Sequence, residues 1–393
     1  MRTLLLVRNG VSHDARVLRA ARVAEQTLGG GTLVVGVATA SAPAGETMVE
    51  GVRVLRLSTR RHTAPAPASA NAGIRAPTRL GARARARRAF GGASFAWRAL
   101  AVARRERPAL VHANDWNTMW CGLAIKLLYR ARLVYDSHEL WADRNGRWEW
   151  RPWLLASEAL FVRAANAVIT ASPGYADALA KRYRAGRPAV IRNIPNAPPT
   201  RATQPQAPPL AVYVGGLMPG RGLEQTIDAL ALAPAIRLRA IGPGAPGYRA
   251  SLIERAERLG VAHRIELHPP VPPAHVPAAL ADASAGLCLI QPVCRSYELT
   301  LPNKLFEYAA AGVPVLASDL PTIATLVRAQ GLGEVVRCDD PHGIAAALER
   351  LVEPARWREA AWCSHAFAKA NNWSGESRAL ARIYSEALAE KTA

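Results

Sequence analysis

Two ionisable residues one helical turn apart, Lys304 and Glu307, follow Pro302 in the second half of the chain. Proline is tolerated in the first turn of a helix, where its missing N–H costs no hydrogen bond, so the pattern predicts a helix over Asn303–Ala311. The unpaired N–H groups of that first turn and the Lys304 ammonium would attract a phosphate, and the Glu307 carboxylate could accept two hydrogen bonds from a vicinal diol such as a ribose. Alternatively, both residues are solvated positions on the surface of a helix.

A second cation precedes this helix in the sequence. The segment Val212–Leu230 has the pattern of a strand, a turn at Gly215-Gly216, and a helix that begins after Arg221. Ligands of parallel α/β sheets bind at the carboxyl ends of the strands, where helix amino termini converge. Arg221 and Lys304 could therefore neutralise a pyrophosphate together without a metal ion. In the alternative interpretation the glycines form only a tight turn and Arg221 is a surface residue.

Polar residues also follow apolar runs in the first half of the chain. His138 stands after a predicted strand, and Asn9-Gly10 leads to His13 and Asp14 at the start of the first predicted helix. We expect His138 to be a site residue, with a hydrogen-bonded structural role as the alternative. The turn before the first helix could approach the acceptor or a phosphate, although Asp14 could equally cap that helix.

The elements that must position these residues alternate between strand and helix patterns. In the first half, short apolar runs predict strands at Thr3–Val7, Thr32–Ala38, Val52–Leu57, Ala109–Ala113, Arg132–Asp136 and Ala167–Thr170. In the second half they predict strands at Leu210–Gly216, Ile236–Gly242, Arg264–His268, Ala285–Ile290 and Val313–Ser318. Strands separated by helix-length segments indicate parallel sheets, so the expected fold class is α/β with two Rossmann-like doubly wound domains that face a cleft, and a helical carboxy-terminal tail.

The domain boundaries follow from composition. We predict an amino-terminal α/β domain over residues 1–195, with a basic flexible insertion at 59–92, and a proline-rich linker at 196–209. A second α/β domain is predicted over 210–353. Helices at 354–393 are expected to pack back on the amino-terminal domain.

The formal net charge is +20, and the densest basic stretch is Arg79–Arg88. Nucleic-acid modules interleave aromatic residues with such charge, and no aromatic residue occurs before Phe90, so we expect no nucleic-acid partner. The charge is explained either by a compositional bias towards arginine or by attraction to an anionic substrate or, in peripheral contact, to an anionic membrane. No apolar run is long enough to span a bilayer, and the start of the chain has the pattern of a buried strand, so a cytoplasmic location is expected. Five scattered cysteines show no metal-ligand spacing, and no metal site is predicted.

The chain resembles the retaining family-4 glycosyltransferases, which have the two-domain GT-B fold. The resemblance rests on the glycine turn with Arg221, on the segment Leu301–Pro321 (LPNKLFEYAAAGVPVLASDLP) and on Asp282–Ile290 (DASAGLCLI). It continues in the first half through Val11–Ala21 and Leu133–Trp141, and it covers nearly the whole chain outside residues 59–92.

The resemblance implies that the domain over 1–195 is the acceptor-side domain and that the domain over 210–353 binds the nucleotide-sugar. It also implies roles for several of these residues. It implies donor phosphate binding by Arg221, Lys304, Gly215, Gly216, Thr300, Leu301 and Pro302; ribose binding by Glu307; donor sugar contacts at Glu298 and Leu299; and a place for His138 near the reaction centre. Two positions depart from the family pattern, because Leu299 replaces the first glutamate of an E-x7-E motif and Gly216 replaces an arginine. Both departures affect the donor side of the predicted site.

We therefore expect a retaining glycosyltransferase that moves a sugar from a UDP- or GDP-linked donor to a hydroxyl acceptor and needs no other cofactor. The acceptor could be a small molecule, a lipid-linked saccharide or a natural product. A nucleotide-sugar epimerase of the same fold, or a non-catalytic partner that binds sugar nucleotides, is the alternative.

Overall fold

The computed structural model describes residues 1–12, 14–58, 81–196, 198–200 and 207–389. These residues form two compact α/β units. Unit 1 contains the described residues up to Arg192 and those from Ser374 onwards, and unit 2 contains the described residues between Asn193 and Trp373.

Unit 1 is built on an eight-stranded sheet in the order β3-β4-β2-β1-β5-β6-β7-β8. Its strands are β1 (Thr3–Leu6), β2 (Thr32–Val37), β3 (Gly45–Val49), β4 (Val52–Leu57), β5 (Leu110–Asn114), β6 (Arg132–Ser137), β7 (Ala167–Thr170) and β8 (Ala189–Val190). All neighbouring pairs are parallel except β3 with β4. The central strands are continuous apolar runs because helices cover both faces of a parallel sheet.

The helices of unit 1 connect these strands. They are α1 (Ala15–Leu28), α2 (Ala82–Glu106), α3 (Trp116–Tyr129), α4 (Arg151–Ala164) and α5 (Pro173–Tyr183), joined from the end of the chain by α14 (Trp373–Ala389). Asp14 begins α1 by accepting a hydrogen bond from the Val17 N–H at 3.2 Å, and Gly29 ends it in the left-handed conformation. These two caps explain why α1 falls where the sequence predicts it.

Unit 2 has a six-stranded, fully parallel sheet in the order β11-β10-β9-β12-β13-β14. Its strands are β9 (Leu210–Val214), β10 (Arg237–Ile241), β11 (Ile265–His268), β12 (Ala285–Cys288), β13 (Val315–Ser318) and β14 (Gly333–Val336). Its helices are α6 (Leu223–Leu232), α7 (Pro246–Arg258), α8 (Val276–Ala279), α9 (Arg295–Glu298), α10 (Asn303–Ala310), α11 (Pro321–Gln330), α12 (Pro341–Leu351) and α13 (Pro354–Ala370). The predicted α/β class with parallel sheets and a helical end is confirmed.

The predicted flexible insertion at 59–92 is wrong in its second part. Helix α2 begins at Ala82, and residues 59–80 lie outside the described part of the chain. Alanine and arginine are both strong helix formers, so the alternating Ala-Arg stretch extends a helix whose later turns bury Phe95 and Ala99. Basic composition alone therefore did not indicate a loop.

The last two described helices belong to different units. The prediction grouped residues 354–393, but α13 belongs to unit 2, where Trp357 donates a hydrogen bond to the Ser284 carbonyl at 2.9 Å. Only α14 joins unit 1, where the Tyr384 side chain is fully buried. Across the described helices, none combines the length and the apolar character that a membrane span requires.

Candidate active site

In unit 2, the carboxyl end of β9 and the first turn of α10 meet around Lys304. Its Nζ atom lies 3.6 Å from the centre of the Tyr213 ring, and a side chain at Gly215 would place its Cβ only 3.4 Å from that nitrogen. Gly215 has a φ of +135°, a conformation that favours glycine. The glycine turn therefore brings the backbone close to the ammonium group and leaves room for a ligand there.

The charge of Lys304 is poorly stabilised in the unliganded protein. Burial lowers its pKa to about 7; the neighbouring Arg221 also lowers it, and Cys288 and Glu307 partly offset these effects. In the part of the chain that the structure describes, no carboxylate forms an ion pair with Lys304 or Arg221. Lys304 lies against the Tyr213 ring, and Arg221 contacts Tyr297 and the sulfur of Met218. A phosphate anion would supply the missing countercharge.

Arg221 is held by aromatic contact. Its guanidinium carbon lies 4.6 Å from the centre of the Tyr297 ring, and Nη2 donates a hydrogen bond to the Tyr297 hydroxyl at 3.1 Å. The next residue, Gly222, has a φ of +78°, and a Cβ there would lie 2.4 Å from the Leu289 carbonyl oxygen. Only glycine fits at this position, so the sequence Arg-Gly fixes how Arg221 approaches the start of α6.

Helix α10 begins without a side-chain cap from its N-cap residue. Pro302 occupies that position and provides no side-chain oxygen for the first N–H groups of the helix, which are the groups that a phosphate could bind. Thr300 and Leu301 form the backbone just ahead of it, with Leu301 buried. Glu307 lies one turn further along α10 and is partly buried. The observed helix ends at Ala310, one residue earlier than predicted.

The two residues expected near the donor sugar have other surroundings. The Glu298 carboxylate accepts a hydrogen bond from Arg295 Nη1 at 2.6 Å within the short helix α9. Leu299 is buried, and its carbonyl accepts a hydrogen bond from Thr322 at 3.3 Å. The Gly216 carbonyl accepts a hydrogen bond from the Tyr213 hydroxyl at 2.9 Å. The structure therefore gives the Glu298 carboxylate an arginine partner of its own.

In unit 1, His138 lies just beyond β6 between two carboxylates. Its Nε2 atom is 3.1 Å from Asp136 Oδ2, and its Nδ1 atom is 3.5 Å from Asp115 Oδ2. Burial opposes protonation of the imidazole, but Asp115 and Asp136 outweigh it and hold the pKa of His138 well above its usual range. These carboxylates favour the protonated imidazole, whose Nε2 atom makes no hydrogen bond within the described structure and can donate one to a ligand.

Asp115 adopts an unusual backbone conformation between β5 and α3. Its φ of +64° and ψ of +162° fall in a region that non-glycine residues rarely occupy. Its Oδ1 also accepts a hydrogen bond from the His138 N–H at 3.3 Å. Such strain persists where the surroundings fix the residue, and it is concentrated at functional sites.

Asp136 is the centre of a buried network beneath His138. Arg16 donates two hydrogen bonds to its carboxylate, at 2.9 and 2.8 Å, and His112 Nε2 lies 3.3 Å from it. The other ring nitrogen of His112 is 2.7 Å from the Tyr384 hydroxyl of α14. Although burial alone would raise the pKa of Asp136, Arg16 and the two histidines hold it well below its usual range. The Asp136 carboxylate therefore stays ionised and fixes the orientation of His138.

A further carboxyl group next to this network has a shifted pKa. Burial, together with Asp115, raises the pKa of Glu139 to about 7, while Arg144 and His138 act in the opposite direction. Glu139 can therefore gain or lose a proton near neutral pH, beside a histidine whose protonated form is favoured.

Hydrogen bonds to other protein groups hold the turn between β1 and α1 in place. Asn9 donates a hydrogen bond to Asp14 Oδ2 at 2.7 Å and accepts one from the Val11 N–H at 2.8 Å. The Gly10 carbonyl accepts a hydrogen bond from Arg56 Nε at 2.7 Å. Asp14 caps α1, as one of the two interpretations of this residue required, and His13 lies outside the described residues.

Sequence reasoning missed most of the residues that support these side chains. Arg16, His112 and Asp115 in unit 1, and the ring partners Tyr213 and Tyr297 in unit 2, were not predicted. A histidine inside an otherwise apolar strand was the signal available for His112, since a buried polar side chain needs a partner. Among the described residues, no group of three or more histidine, cysteine, aspartate or glutamate side chains is placed to hold a metal ion.

Comparison with solved structures identifies the structural class to which this fold belongs. Over 98% of both chains it superposes on sucrose-phosphate synthase from Thermosynechococcus elongatus, with a TM-score of 0.77 and 18% identity. It also superposes on HepE from Anabaena in complex with UDP and glucose, with a TM-score of 0.66 and 17% identity over 98% of this chain and 99% of that one. This class is the GT-B fold.

Sequence comparison gives the family. Residues 49–197 match the model of Glycosyltransferase Family 4, and residues 208–354 match that of Glycosyl transferases group 1. The chain is also 27% identical to the D-inositol 3-phosphate glycosyltransferase of Nocardia farcinica, over 72% of this chain and 67% of that protein. The chain belongs to the GT-B glycosyltransferases of family 4, as the sequence motifs predicted.

Proposed function

We propose that this glycosyltransferase takes its sugar from a UDP- or GDP-linked donor held by unit 2 and transfers it, with retention of configuration, to a hydroxyl group of an acceptor held by unit 1. The observation that carries the donor assignment is the buried Lys304 cation beside Arg221, at the amino terminus of α10. The UDP bound in HepE of Anabaena supports a uridine donor.

Different residues of unit 2 bind the diphosphate and the ribose of the donor. Arg221, Lys304 and the N–H groups that follow Pro302 bind the diphosphate, and Glu307 accepts hydrogen bonds from the ribose hydroxyls. When the bond from the sugar to the diphosphate breaks, negative charge develops on the departing phosphate, and these preorganised cations stabilise it. A pair of cations and a helix terminus can do this without a divalent metal.

The residues of unit 1 act on the transferred sugar. Nδ1 of His138 faces Asp115, whereas its Nε2 atom makes no hydrogen bond with any residue that the structure describes, so the Nε2–H of the protonated ring is the donor available to a sugar hydroxyl. Because Leu299 stands where the family has a glutamate, the protein has no carboxylate at this position to accept hydrogen bonds from the donor sugar. The favoured sugar is therefore one that donates no hydrogen bond there.

We expect UDP-glucose to stabilise the protein against unfolding equally in EDTA and in magnesium, by about 2.7 kcal/mol at one hundred times its Kd. Replacing Glu307 with alanine removes one or two charge-assisted hydrogen bonds, each contributing about 1.5–3 kcal/mol, so the affinity for UDP-glucose should fall at least about tenfold, and by more than about a hundredfold if two bonds are lost. Thermal unfolding and calorimetric titration measure both effects, with GDP-mannose as the second donor.

Glu349→Ala removes an exposed glutamate from α12 of the same unit and is the matched control. Stabilisation that requires magnesium, or an affinity in Glu307→Ala equal to that of the control, would contradict the donor assignment. Incubating the donor without any acceptor separates transfer from epimerisation, because only an epimerase would change the sugar under that condition.

We also propose that one face of α2 contacts anionic membranes. Arg83, Arg87, Phe90 and Trp97 follow one another at spacings of four, three and seven residues, which places them on the same side of the helix. All four are exposed, with Phe90 at 66% and Trp97 at 77%. Basic and aromatic residues on one face are typical of helices that lie in the membrane interface.

The double substitution Arg83→Ser/Arg87→Ser should weaken binding to vesicles that contain phosphatidylglycerol by roughly 30-fold, because each arginine near an anionic surface contributes about 1 kcal/mol. Co-sedimentation at low salt measures this effect. Arg258→Ser/Arg328→Ser removes the same charge from exposed positions of unit 2 and should leave binding unchanged. If both double variants lose the same vesicle affinity, net charge alone explains the binding and the proposal is overturned.

A further inference from the structure

Unit 1 contains a large cavity between α2, the start of α3 and residues 141–153. Its volume is about 1130 Å³. Six of the ten tryptophans of the chain line it: Trp116, Trp120, Trp141, Trp148, Trp150 and Trp153. We call this cavity the tryptophan–arginine pocket. Its lining residues all belong to unit 1, whereas the proposed donor side chains all belong to unit 2.

The tryptophans form stacked pairs in the wall of the pocket. The rings of Trp116 and Trp141 are 6.3 Å apart with an interplanar angle of 19°, and those of Trp120 and Trp153 are 5.6 Å apart with an angle of 10°. Stacked indoles have few rotamers left to lose when a ligand binds. They offer a broad, preorganised apolar surface for a flat ring or a hydrocarbon segment.

Six arginines also line the pocket, and two of them have carboxylate partners. Arg144 donates to both Glu149 oxygens, at 2.8 and 2.7 Å, and Arg151 pairs with Asp143 at 2.9 Å. The remaining four, Arg8, Arg85, Arg88 and Arg147, form no ion pair with a carboxylate within the described ranges of the chain. The lining therefore carries positive charge that the protein does not neutralise.

Arg8 is the clearest case of such a charge. It follows β1, and its Nη1 atom is so close to α2 that a Cβ at Gly92 would lie 3.4 Å from it. Burial lowers its pKa, and Glu149 offsets this only in part. One turn before Gly92 on the same helix, the Arg88 guanidinium lies 5.4 Å from the centre of the Trp148 ring. Cations beside aromatic faces suit a ligand that carries an anionic group next to an apolar one.

Two buried polar atoms in the lining lack partners as well. Within the described structure, the Trp141 Nε1–H donor and the Asn117 Oδ1 acceptor make no hydrogen bond. An unsatisfied buried polar atom costs about 1–3 kcal/mol, and a ligand with both a donor and an acceptor would relieve that cost. A hydroxylated ligand fits this requirement.

We infer that the tryptophan–arginine pocket binds the acceptor, and that the acceptor carries a phosphate or carboxylate group beside a broad apolar or aromatic moiety. The role of the ligand as acceptor rests on the proposed transferase function. The chemistry of binding rests only on the pocket.

Quenching of tryptophan fluorescence by defined probes tests the inference on the full chain. The probes are 1-naphthyl phosphate and dodecyl phosphate below its micelle concentration, with 1-naphthol and inorganic phosphate as the separate halves. We expect at least one of the two joined probes to bind at least tenfold more tightly than either half. Tighter binding of the naphthyl probe indicates an aromatic acceptor, and tighter binding of the dodecyl probe indicates a lipid-linked one.

The double variant Arg85→Gln/Arg88→Gln should bind the preferred probe at least tenfold more weakly, and both positions are exposed enough to leave folding unaffected. Arg104→Gln lies on the same helix outside the pocket and should bind as the wild type does. Equal affinities in the two variants, or joined probes no better than 1-naphthol, would overturn the inference.

Two further measurements separate this inference from the proposed function. The double variant should keep the wild-type affinity for UDP-glucose, because its two arginines belong neither to the proposed donor residues of unit 2 nor to the network around His138. Probe binding in a protein that binds no nucleotide sugar would leave the pocket in place and contradict the transferase assignment instead. Transfer assays on panels of anionic and matched neutral hydroxyl compounds should then yield product with the anionic members.

Discussion

The affinity for UDP-glucose is expected to fall about 30-fold between about pH 6 and about pH 8.5, because the pKa of Lys304 is near 7 only while its site is empty. A bound diphosphate restores the countercharge that Lys304 lacks and raises this pKa, so binding takes up a proton above pH 7. The full affinity is therefore present below the unliganded pKa and is lost as the pH rises through it. UDP-glucose suits the test because its diphosphate bridge does not titrate in this range.

Lys304→Met is the control for this pH dependence, since it keeps the length of the side chain and removes the titrating group. Its affinity should be low at every pH, about 10- to 100-fold below the wild type at pH 6, and nearly independent of pH. Calorimetric titration at several pH values measures both curves. If the slopes of the two proteins are the same, the proton comes from another group and Lys304 does not contact the diphosphate.

The substitution Arg16→Met should lower the free energy of unfolding of unit 1 by about 3–5 kcal/mol, because it leaves the Asp136 carboxylate buried without its bidentate partner. Both side chains are almost inaccessible, at 7% and 1% exposure, so solvent cannot replace the lost pairing. Since the pKa of Asp136 is held well below its usual range, this stabilisation exists above the pKa of an unfolded aspartate and disappears as the pH falls through the folded value.

Arg53→Met removes an ion pair of a different kind and is the matched control. Arg53 pairs with Glu46 at 2.8 Å, but 42% and 41% of the two side chains are exposed, so the expected cost is about 0–1 kcal/mol. Urea unfolding followed by tryptophan fluorescence compares the two variants at neutral pH. A cost for Arg16→Met no larger than that of the control would show that the buried network contributes no net stability.

The helix and the glycine turn that carry the proposed donor residues could be predicted from sequence because their signals are local. Pro302, Lys304 and Glu307 lie within two turns of one helix, and Arg221 is followed by a glycine that no other residue can replace. Local patterns of this kind depend on capping and backbone sterics, which act over a few residues.

The network around Asp136 could not be predicted in this way. His112 and Tyr384 are 272 residues apart in the chain, and Arg16 lies 120 residues from Asp136. Only the fold brings these side chains together. The exposed edge strand β3 was missed for another reason, since its polar sequence GETMV lacks the apolar run that marks the buried strands.

Helix α14 has a consequence for the order in which the protein is made. It follows unit 2 in the sequence, yet its Tyr384 hydroxyl contacts His112, and its Glu376 carboxylate pairs with Arg192 at 2.6 Å, both within unit 1. A ribosome that synthesises this chain releases most of unit 1 first and then unit 2 before α14 emerges. In a nascent unit 1, His112 therefore lacks its tyrosine partner until the segment that follows unit 2 has been synthesised.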